Sequence, residues 1–390
     1  LRNYAGDSAF FKALNLYLNT YKFKNAEAHQ LRLAFEEVTG QDLNWFWNQW
    51  YFGSGQPDLT INYDYNNRKA RVIIDQTQET GKLFKLPMAI DVYSEGAMKK
   101  RYHVWAENKE DTFYFPSAKK PSLINVDAEK VLLSRKTDNK SAEEFEQQYK
   151  YAGNYLDRKE ALDFFAKNKL SNLAMGLNDK YQGLRLLTLE ALEENKSYTI
   201  PSVLNTIEEL ADKDPDKKVQ AKAIELLANQ EDKKYTSLFA KYVDDSSYTV
   251  SGNALEALYR VDGRRALTEA KRLSAAPLRG KLADVIGSIL TVNEDEAGTN
   301  IIIDNFKSLS FGQDKIDALQ SVGFALSKTK SLDILKKGVN ALQDFKKKLS
   351  AHYKSTFEPV VVNILQSLQK VKQTAGEKEQ ADYLQEVLHK

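Results

Sequence analysis

Residues 1–57 read LRNYAGDSAFFKALNLYLNTYKFKNAEAHQLRLAFEEVTGQDLNWFWNQWYFGSGQP, and this stretch decides which fold the chain contributes to. Its large apolar residues recur three or four positions apart, which is the period of an amphipathic helix. They form three consecutive runs: Phe10, Leu14, Tyr17 and Tyr21; then Leu31, Phe35 and Val38; then Leu43, Phe46, Trp47, Trp50 and Tyr51. Gly6-Asp7, Asn25 and Gly40 separate the runs, with Asn25 as a candidate N-cap. The stretch therefore predicts three short helices.

Trp45, Trp47 and Trp50 lie within six positions, which is more tryptophan than one face of a short helix can cover. Large aromatic side chains are mostly core or interface residues, so we expect these three to pack on the domain that follows. A stacking platform for sugars or bases is the alternative interpretation.

The order of these motifs resembles a known family. LRNYAGDSAFF, LRLAFEEVTGQDL and NQWYFGSGQPDL follow one another between Leu1 and Leu59. This series resembles the segment that closes the thermolysin-like catalytic domain in the M1 family of zinc aminopeptidases, which are gluzincins. The resemblance implies that the chain is the C-terminal portion of such an enzyme.

The zinc site of that family is missing from this sequence. Such a site needs two histidines one helical turn apart, a glutamate between them as general base and a second glutamate as third ligand. The four histidines are His29, His103, His352 and His389, and none has a partner at that spacing. In the family these groups lie upstream of the segment that matches Leu1. We therefore expect no catalytic residue, no metal ligand and no cofactor in this chain, and zinc in the full-length protein.

If the zinc-bearing half lies elsewhere, the first helices should leave an apolar face open where that half docks. Phe10, Leu14, Trp47 and Trp50 are the candidate residues of this interface.

The composition is that of an ordinary globular protein. With 390 residues, of which 42% are hydrophobic and 28% are charged, two or three domains are expected. The net charge of +2 gives no global field that would attract nucleic acid, so no nucleic-acid partner is expected. From Lys328 onwards there are twelve lysines against seven acids, which we interpret as solvated helix faces.

The sequence says little about compartment. There is no cysteine, which is compatible with cytoplasm or periplasm, so localisation stays unknown and a periplasmic or exported protein is plausible from the resemblance alone. No apolar run reaches the roughly 18 residues that a membrane span needs, so no transmembrane segment is expected.

After Pro57 the hydrophobic period changes from helical to alternating. The alternation predicts about seven short strands, at residues 59–65, 70–74, 86–92, 100–104, 113–115, 123–126 and 131–133. Such spacing is typical of a small antiparallel β-sandwich, here a spacer domain over residues 57–134. A carbohydrate- or partner-binding module with Trp105, Tyr63 and Tyr65 as its platform is the alternative.

The polar residues 134–140, SRKTDNK, are expected to form a linker, and Ser141 with Glu144 has the spacing of a capping box. A weak repeat follows, in which LEAL at 189–192, IELL at 224–227 and LEAL at 255–258 are 35 and 31 residues apart. Asp214-Pro215 is a candidate helix start. The repeat predicts an α-helical HEAT-like solenoid over residues 135–390, with a non-repetitive bundle as the alternative.

Together these patterns predict a mainly α fold with a β-sandwich: the helical end of a thermolysin-like domain at residues 1–56, the sandwich, and the solenoid. In the family the helical domain forms a bowl over the active site. The resemblance implies a region that shapes or caps the site for peptide substrates of the full-length enzyme and is not catalytic alone. A catalytically inactive scaffold, or a peptide- or protein-binding module, is the alternative. Four arginines, Arg264, Arg265, Arg272 and Arg279, could line a concave face, although solvated outer faces are expected for each.

Overall fold

The computed structural model describes residues 1–275, 278–293 and 295–389. The chain forms two compact units, residues 1–173 and 174–390. The division into three domains at residues 56 and 134 stays a prediction. None of the helices in the described ranges combines the length and hydropathy that crossing a membrane requires.

The first unit begins with the predicted helices. They are α1 (Arg2–Ala5), α2 (Asp7–Tyr21), α3 (Ala28–Thr39) and α4 (Asn44–Phe46), which continues as a π-helical turn over Trp47–Tyr51. Their core consists of Ala13, Phe35, Leu43 and Trp47. Asn25 is not the N-cap of α3, because Glu27 and Gln30 form a reciprocal capping box there instead. Gly40 ends α3 in the left-handed conformation, where glycine has no Cβ to strain.

Seven strands form the predicted sandwich: β1 (Asp58–Asn66), β2 (Lys69–Gln76), β3 (Leu86–Glu95), β4 (Met98–Ala106), β5 (Glu110–Pro116), β6 (Leu123–Val126) and β7 (Arg135–Asp138). One sheet has the order β5-β2-β1-β7 and the other β4-β3-β6. Ile61, Val72 and Ile74 from the first sheet pack with Leu86 and Ile90 from the second in one core. Alternation along the strands produces this arrangement, because every second side chain points inward.

The last strand differs from the prediction. Residues 131–133 are not a strand, and residues 135–138, expected as a linker, form β7. This strand pairs with β1 in parallel, from Asp58 opposite Arg135 to Ile61 opposite Asp138, so the sheet is mixed. β7 is polar, with no buried residue, and sequence periodicity could not reveal it.

Two helices, α5 (Ala142–Tyr151) and α6 (Tyr155–Lys167), complete the first unit. The predicted capping box is present: Ser141 Oγ accepts from the Glu144 backbone amide, and the Ser141 amide donates to the Glu144 carboxylate. A buried ion network ties the helices to the strands. Lys130 donates to Glu160 of α6 at 2.8 Å and lies 3.1 Å from Asp157.

The second unit is a two-layer stack of helices: α7 (Gln182–Glu194), α8 (Pro201–Lys213), α9 (Lys217–Ala228), α10 (Thr236–Tyr242), α11 (Tyr248–Val261), α12 (Gly263–Leu273), α13 (Gly280–Val292), α14 (Glu296–Ser308), α15 (Gln313–Lys328), α16 (Leu332–Lys348), α17 (Ala351–Thr374) and α18 (Lys378–Leu388). In one layer α7, α9, α11, α13, α15 and α17 each pack on the next. The helices between them pack on these neighbours from one side. The weak sequence repeat falls in α7, α9 and α11, which are successive members of one layer, and the HEAT-like arrangement is confirmed.

Aspartates mark the same repeat. Asp179, Asp214 and Asp245 are also 35 and 31 residues apart, and each carboxylate accepts from the backbone amide two residues later, at 2.8 Å. Asp214 is therefore not the N-cap of α9, a position that Asp216 occupies. Arg185 instead donates to both carboxylate oxygens of Asp214, at 2.7 and 2.8 Å.

Candidate functional site

A hydrolytic metal centre requires at least three convergent ligands. Within the described ranges, no group of three or more histidine, aspartate or glutamate side chains is arranged to hold a metal ion. The ring centroid of His29 lies 5.1 Å from that of Phe52 in a tilted arrangement, and that of His352 lies 4.9 Å from that of Tyr353. These histidines therefore make ring contacts within the fold.

Helix α2 presents an unusual surface. Phe11, Leu14, Leu18 and Tyr21 follow one another at intervals of three and four, so they share one face of the helix, which we call the α2 stripe. Phe11 is 54% exposed and Leu18 is 64% exposed. Ala13 is the only residue of α2 that is fully buried.

The reason lies in the composition of α2. The adjacent face of α2 carries Phe10, Ala13 and Tyr17, and the ring centroid of Phe10 lies 5.4 Å from that of Phe35 of α3. The two runs together form one wide apolar face, and its side with Phe11 and Leu18 stays more than half exposed. Burying Phe11 and Leu18 completely would contribute about 1.5–3 kcal/mol each. The α2 stripe is therefore an apolar surface whose burial would be favourable.

Of the four predicted interface residues, only Leu14 belongs to the α2 stripe. Phe10 and Leu14 are half-buried against the core of the first helices. Trp47 is 3% exposed and belongs to that core, and Trp50 packs 5.6 Å from Phe84 of the sandwich. Their role in binding a catalytic half stays a prediction, but Phe11 and Leu18 offer more free apolar surface. The sequence already indicated that Phe11 and Leu18 share one face of the helix, because they are seven residues apart.

The three tryptophans of the first helices are accommodated within the first unit. Trp45 lies 5.4 Å from Trp105 of β4, and Tyr4 contacts both rings edge-on. Trp50 contacts the sandwich core as well. The expectation that these aromatics pack on the following domain is confirmed for Trp45 and Trp50, whereas Trp47 lies in the helical core.

The aromatic residues of the alternative sugar-binding platform, Tyr63, Tyr65 and Trp105, do not share one sheet. Tyr63 and Tyr65 lie on β1 in one sheet, and Trp105 lies on β4 in the other. The Tyr63 hydroxyl donates to Asp138 at 2.7 Å, and burial, followed by the nearby carboxylates, raises the pKa of this hydroxyl. The Tyr65 hydroxyl donates to the Ser117 carbonyl oxygen. Both tyrosines therefore serve the packing of the sandwich.

The four candidate arginines of the concave face, Arg264, Arg265, Arg272 and Arg279, are all exposed. Arg272 is paired with Asp244 at 2.7 Å and with Glu269 at 2.7 Å. Its hydrogen bond with Asp244, followed by that with Glu269, raises the pKa of its guanidinium. Arg272 is therefore engaged in ion pairs with neighbouring carboxylates.

Comparison with known families identifies two segments. Residues 1–50 match the peptidase family M1 domain, and residues 204–280 match HEAT repeats. The first match covers α1 to α4, including the α2 stripe, and the second covers most of α8 to α12. No curated protein shows significant similarity to the chain.

Among solved structures, an aminopeptidase A of Legionella pneumophila in complex with aspartic acid is similar, with a TM-score of 0.47 and 14% sequence identity. The match covers 95% of this chain and 49% of that one, so the chain spans about half the length of that protein. A likeness this remote does not by itself assign a function. The chain thus contains a peptidase-related segment, similar to the M1 domain over its first 50 residues, and HEAT-like helical repeats.

Proposed function

We propose that the chain is the C-terminal region of a zinc-dependent aminopeptidase that removes N-terminal residues from peptides. In this proposal the region shapes or caps the active site and is not catalytic alone. The observation that carries it is the α2 stripe, which leaves Phe11 and Leu18 more than half exposed inside the segment that matches the M1 peptidase domain. The partner of the stripe is the zinc-bearing part of the same catalytic domain.

The donor set of this chain does not fit the zinc ion itself. Three convergent nitrogen or oxygen ligands are the minimum for a catalytic zinc site, and the described residues offer no such group. We therefore assign zinc, the general base and the contacts to the substrate amine to the rest of the protein. No step of the hydrolysis is assigned to residues of this chain.

The alternative is a catalytically inactive scaffold or a peptide- or protein-binding module. The observation that favours it is the match to HEAT repeats, since stacked helix pairs offer an extended surface for binding other chains. The two proposals differ in what the full-length protein does with a peptide: cleavage in the first, and binding without turnover in the second.

The decisive experiment compares the full-length product of the gene with this chain. Both are assayed with added zinc on a panel of aminoacyl-fluorophore substrates, with and without a chelator. We expect chelator-sensitive activity in the full-length protein and none in this chain. Silence of the full-length protein would favour the scaffold, and activity of this chain alone would overturn our assignment of the catalytic groups.

A further inference from the structure

A cleft of about 640 Å³ lies near the end of the second unit. It is bounded by the end of α14, the start of α15, the end of α16 and the start of α17. This volume is in the range of cavities that hold small organic ligands. Such ligands are recognised by the few polar groups that line an otherwise apolar wall.

Aromatic rings form much of that wall. Phe306 and Phe345 are buried at its base, with their ring centroids 5.9 Å apart. Phe311 lies 4.9 Å from Tyr353, and these two side chains are 49% and 41% exposed. Exposed rings beside a buried aromatic base offer stacking surface to another ring system.

The cationic groups of the cleft are Lys307, Lys315 and Lys348, against the single carboxylate of Asp344 among the described lining residues. Within the described ranges, none of these three lysines forms an ion pair. The Lys315 amine donates to the Leu309 carbonyl oxygen at 2.6 Å. It also lies 4.9 Å from the centroid of the Phe306 ring.

Burial lowers the pKa of the Lys315 amine, and the positive charge of Lys348 lowers it further. An anion placed between these two lysines would relieve their repulsion and supply the missing counter-charge. Lys348 belongs to the lysine-rich tail that begins at Lys328, and it lines an aromatic cleft together with Lys307 and Lys315. This part of the tail is therefore more than a solvated helix face.

We propose that this cleft binds an aromatic carboxylate, with its ring system against Phe311 and Tyr353 and its carboxylate between Lys315 and Lys348. The charge balance selects an anion over a neutral or cationic ligand. The exposed rings select an aromatic body over a bare inorganic anion. The site is independent of the docking surface on α2 and of the peptidase proposal.

Isothermal titration calorimetry on the whole chain tests this with three ligands of similar shape. The probes are 1-naphthoate, the neutral 1-naphthamide and the cationic 1-naphthylmethylamine. We expect the carboxylate to bind at least about tenfold more tightly than the amide, which is the value of one hydrogen-bonded charge contact. The amine should not bind measurably. Raising the salt concentration should weaken binding of the carboxylate, because the lysines are partly exposed.

Variants locate the site. Lys348→Met and Lys315→Met should each lower the affinity for 1-naphthoate about tenfold, and Phe311→Ala should lower it about fivefold through the lost ring contact. The matched controls are Lys347→Met, which removes the same charge from an exposed residue of α16 outside the cleft, and Phe324→Ala. Both controls should leave the affinity unchanged. Circular dichroism shows whether each variant is folded. If Lys315→Met does not fold, Lys348→Met still tests the site, because Lys348 is exposed.

Three results would overturn the proposal. One is the absence of heat at a ligand concentration of about 1 mM, above the range expected for a specific site. Another is equal binding of naphthoate and naphthamide, which would make the cleft merely apolar. The third is an equal loss of affinity in Lys347→Met and Lys348→Met, which would indicate general attraction to a basic surface.

Discussion

The Lys130 amine donates a hydrogen bond to the Glu160 carboxylate over 2.8 Å, and Lys136 donates to the other oxygen over 2.6 Å. Burial alone would raise the pKa of Glu160, but Lys136 and Lys130 hold it at about 2. A glutamate in an unfolded chain has a pKa of about 4.3. The ionised carboxylate therefore stabilises the fold fully above about pH 5, and this contribution is lost as the pH falls toward about 2.

We accordingly expect Glu160→Gln to lower the free energy of unfolding of residues 1–173 by about 3 kcal/mol at pH 7, because Lys136 then stays buried without its paired carboxylate and Lys130 keeps only that of Asp157. The loss should shrink as the pH falls from about 5 to 2, where wild-type Glu160 becomes protonated. Urea unfolding followed by tryptophan fluorescence measures it, since Trp45, Trp47, Trp50 and Trp105 all lie in the first unit.

The matched control is Asp163→Asn on the same helix, whose pair with Lys159 is largely exposed. This variant should change the unfolding free energy by no more than about 0.5 kcal/mol. Identical pH profiles for wild type and Glu160→Gln would contradict the role given to the buried network.

The pair of Arg185 and Asp214 predicts a second effect, in the helical stack. The Asp214 carboxylate is 2% exposed and accepts from two guanidinium nitrogens, so Asp214→Asn breaks a bidentate, buried ion pair. We expect a loss of about 3 kcal/mol in the second unit. Far-UV circular dichroism during urea unfolding reports it. Asp244→Asn, which removes an exposed partner of Arg272, is the control and should have little effect.

Helices α13 and α14 approach each other through glycine. A Cβ added at Gly298 would lie 2.6 Å from the Gly287 carbonyl oxygen and 2.6 Å from the Thr291 backbone nitrogen, closer than atoms can pack. Gly298→Ala should therefore separate the helices and cost about 1–3 kcal/mol. Gly312→Ala is the control, since an added Cβ there has no neighbour within 4 Å and the backbone is extended. Equal melting curves for the two variants would refute this account.

The sequence predicted the elements that depend on hydrophobic periodicity. Six strands of the sandwich and the layer formed by α7, α9 and α11 were evident because their apolar residues form short runs or recur at the period of a strand or a helix. β7 was missed because its residues are polar and none of them is buried, so the strand shows no hydrophobic alternation. The aspartate repeat was visible at the same spacing as the apolar one, but its partner Arg185 could be recognised only in three dimensions.

The sequence indicated four candidate interface residues, and only one of them, Leu14, belongs to the α2 stripe. Trp47 and Trp50 stood out because tryptophan is rare and large, yet each is used within the first unit. Phe11 and Leu18 do not stand out in the sequence, because the other apolar residues of α2 already account for its helical periodicity. Which apolar residues of a helix remain exposed depends on what packs beside it, and periodicity alone does not contain that information.

The last prediction concerns the α2 stripe. Phe11→Ser with Leu18→Ser removes two exposed apolar side chains, so the unfolding free energy of this chain should change by no more than about 0.5 kcal/mol per site. In the full-length protein the same pair of substitutions should lower the melting temperature and the aminopeptidase activity. There the two side chains would be buried against the zinc-bearing part, and each would contribute about 1.5–3 kcal/mol.

Leu133→Ser provides the matched control, because Leu133 is 73% exposed in the same unit but lies outside the segment that matches the peptidase domain. Comparing the three proteins, wild type, double variant and control, in both lengths separates docking from general loss of apolar surface. A double variant that behaves like Leu133→Ser in the full-length protein would show that the stripe is free there too. In that case the first helices would need a different partner, and the observation that carries the proposed function would be lost.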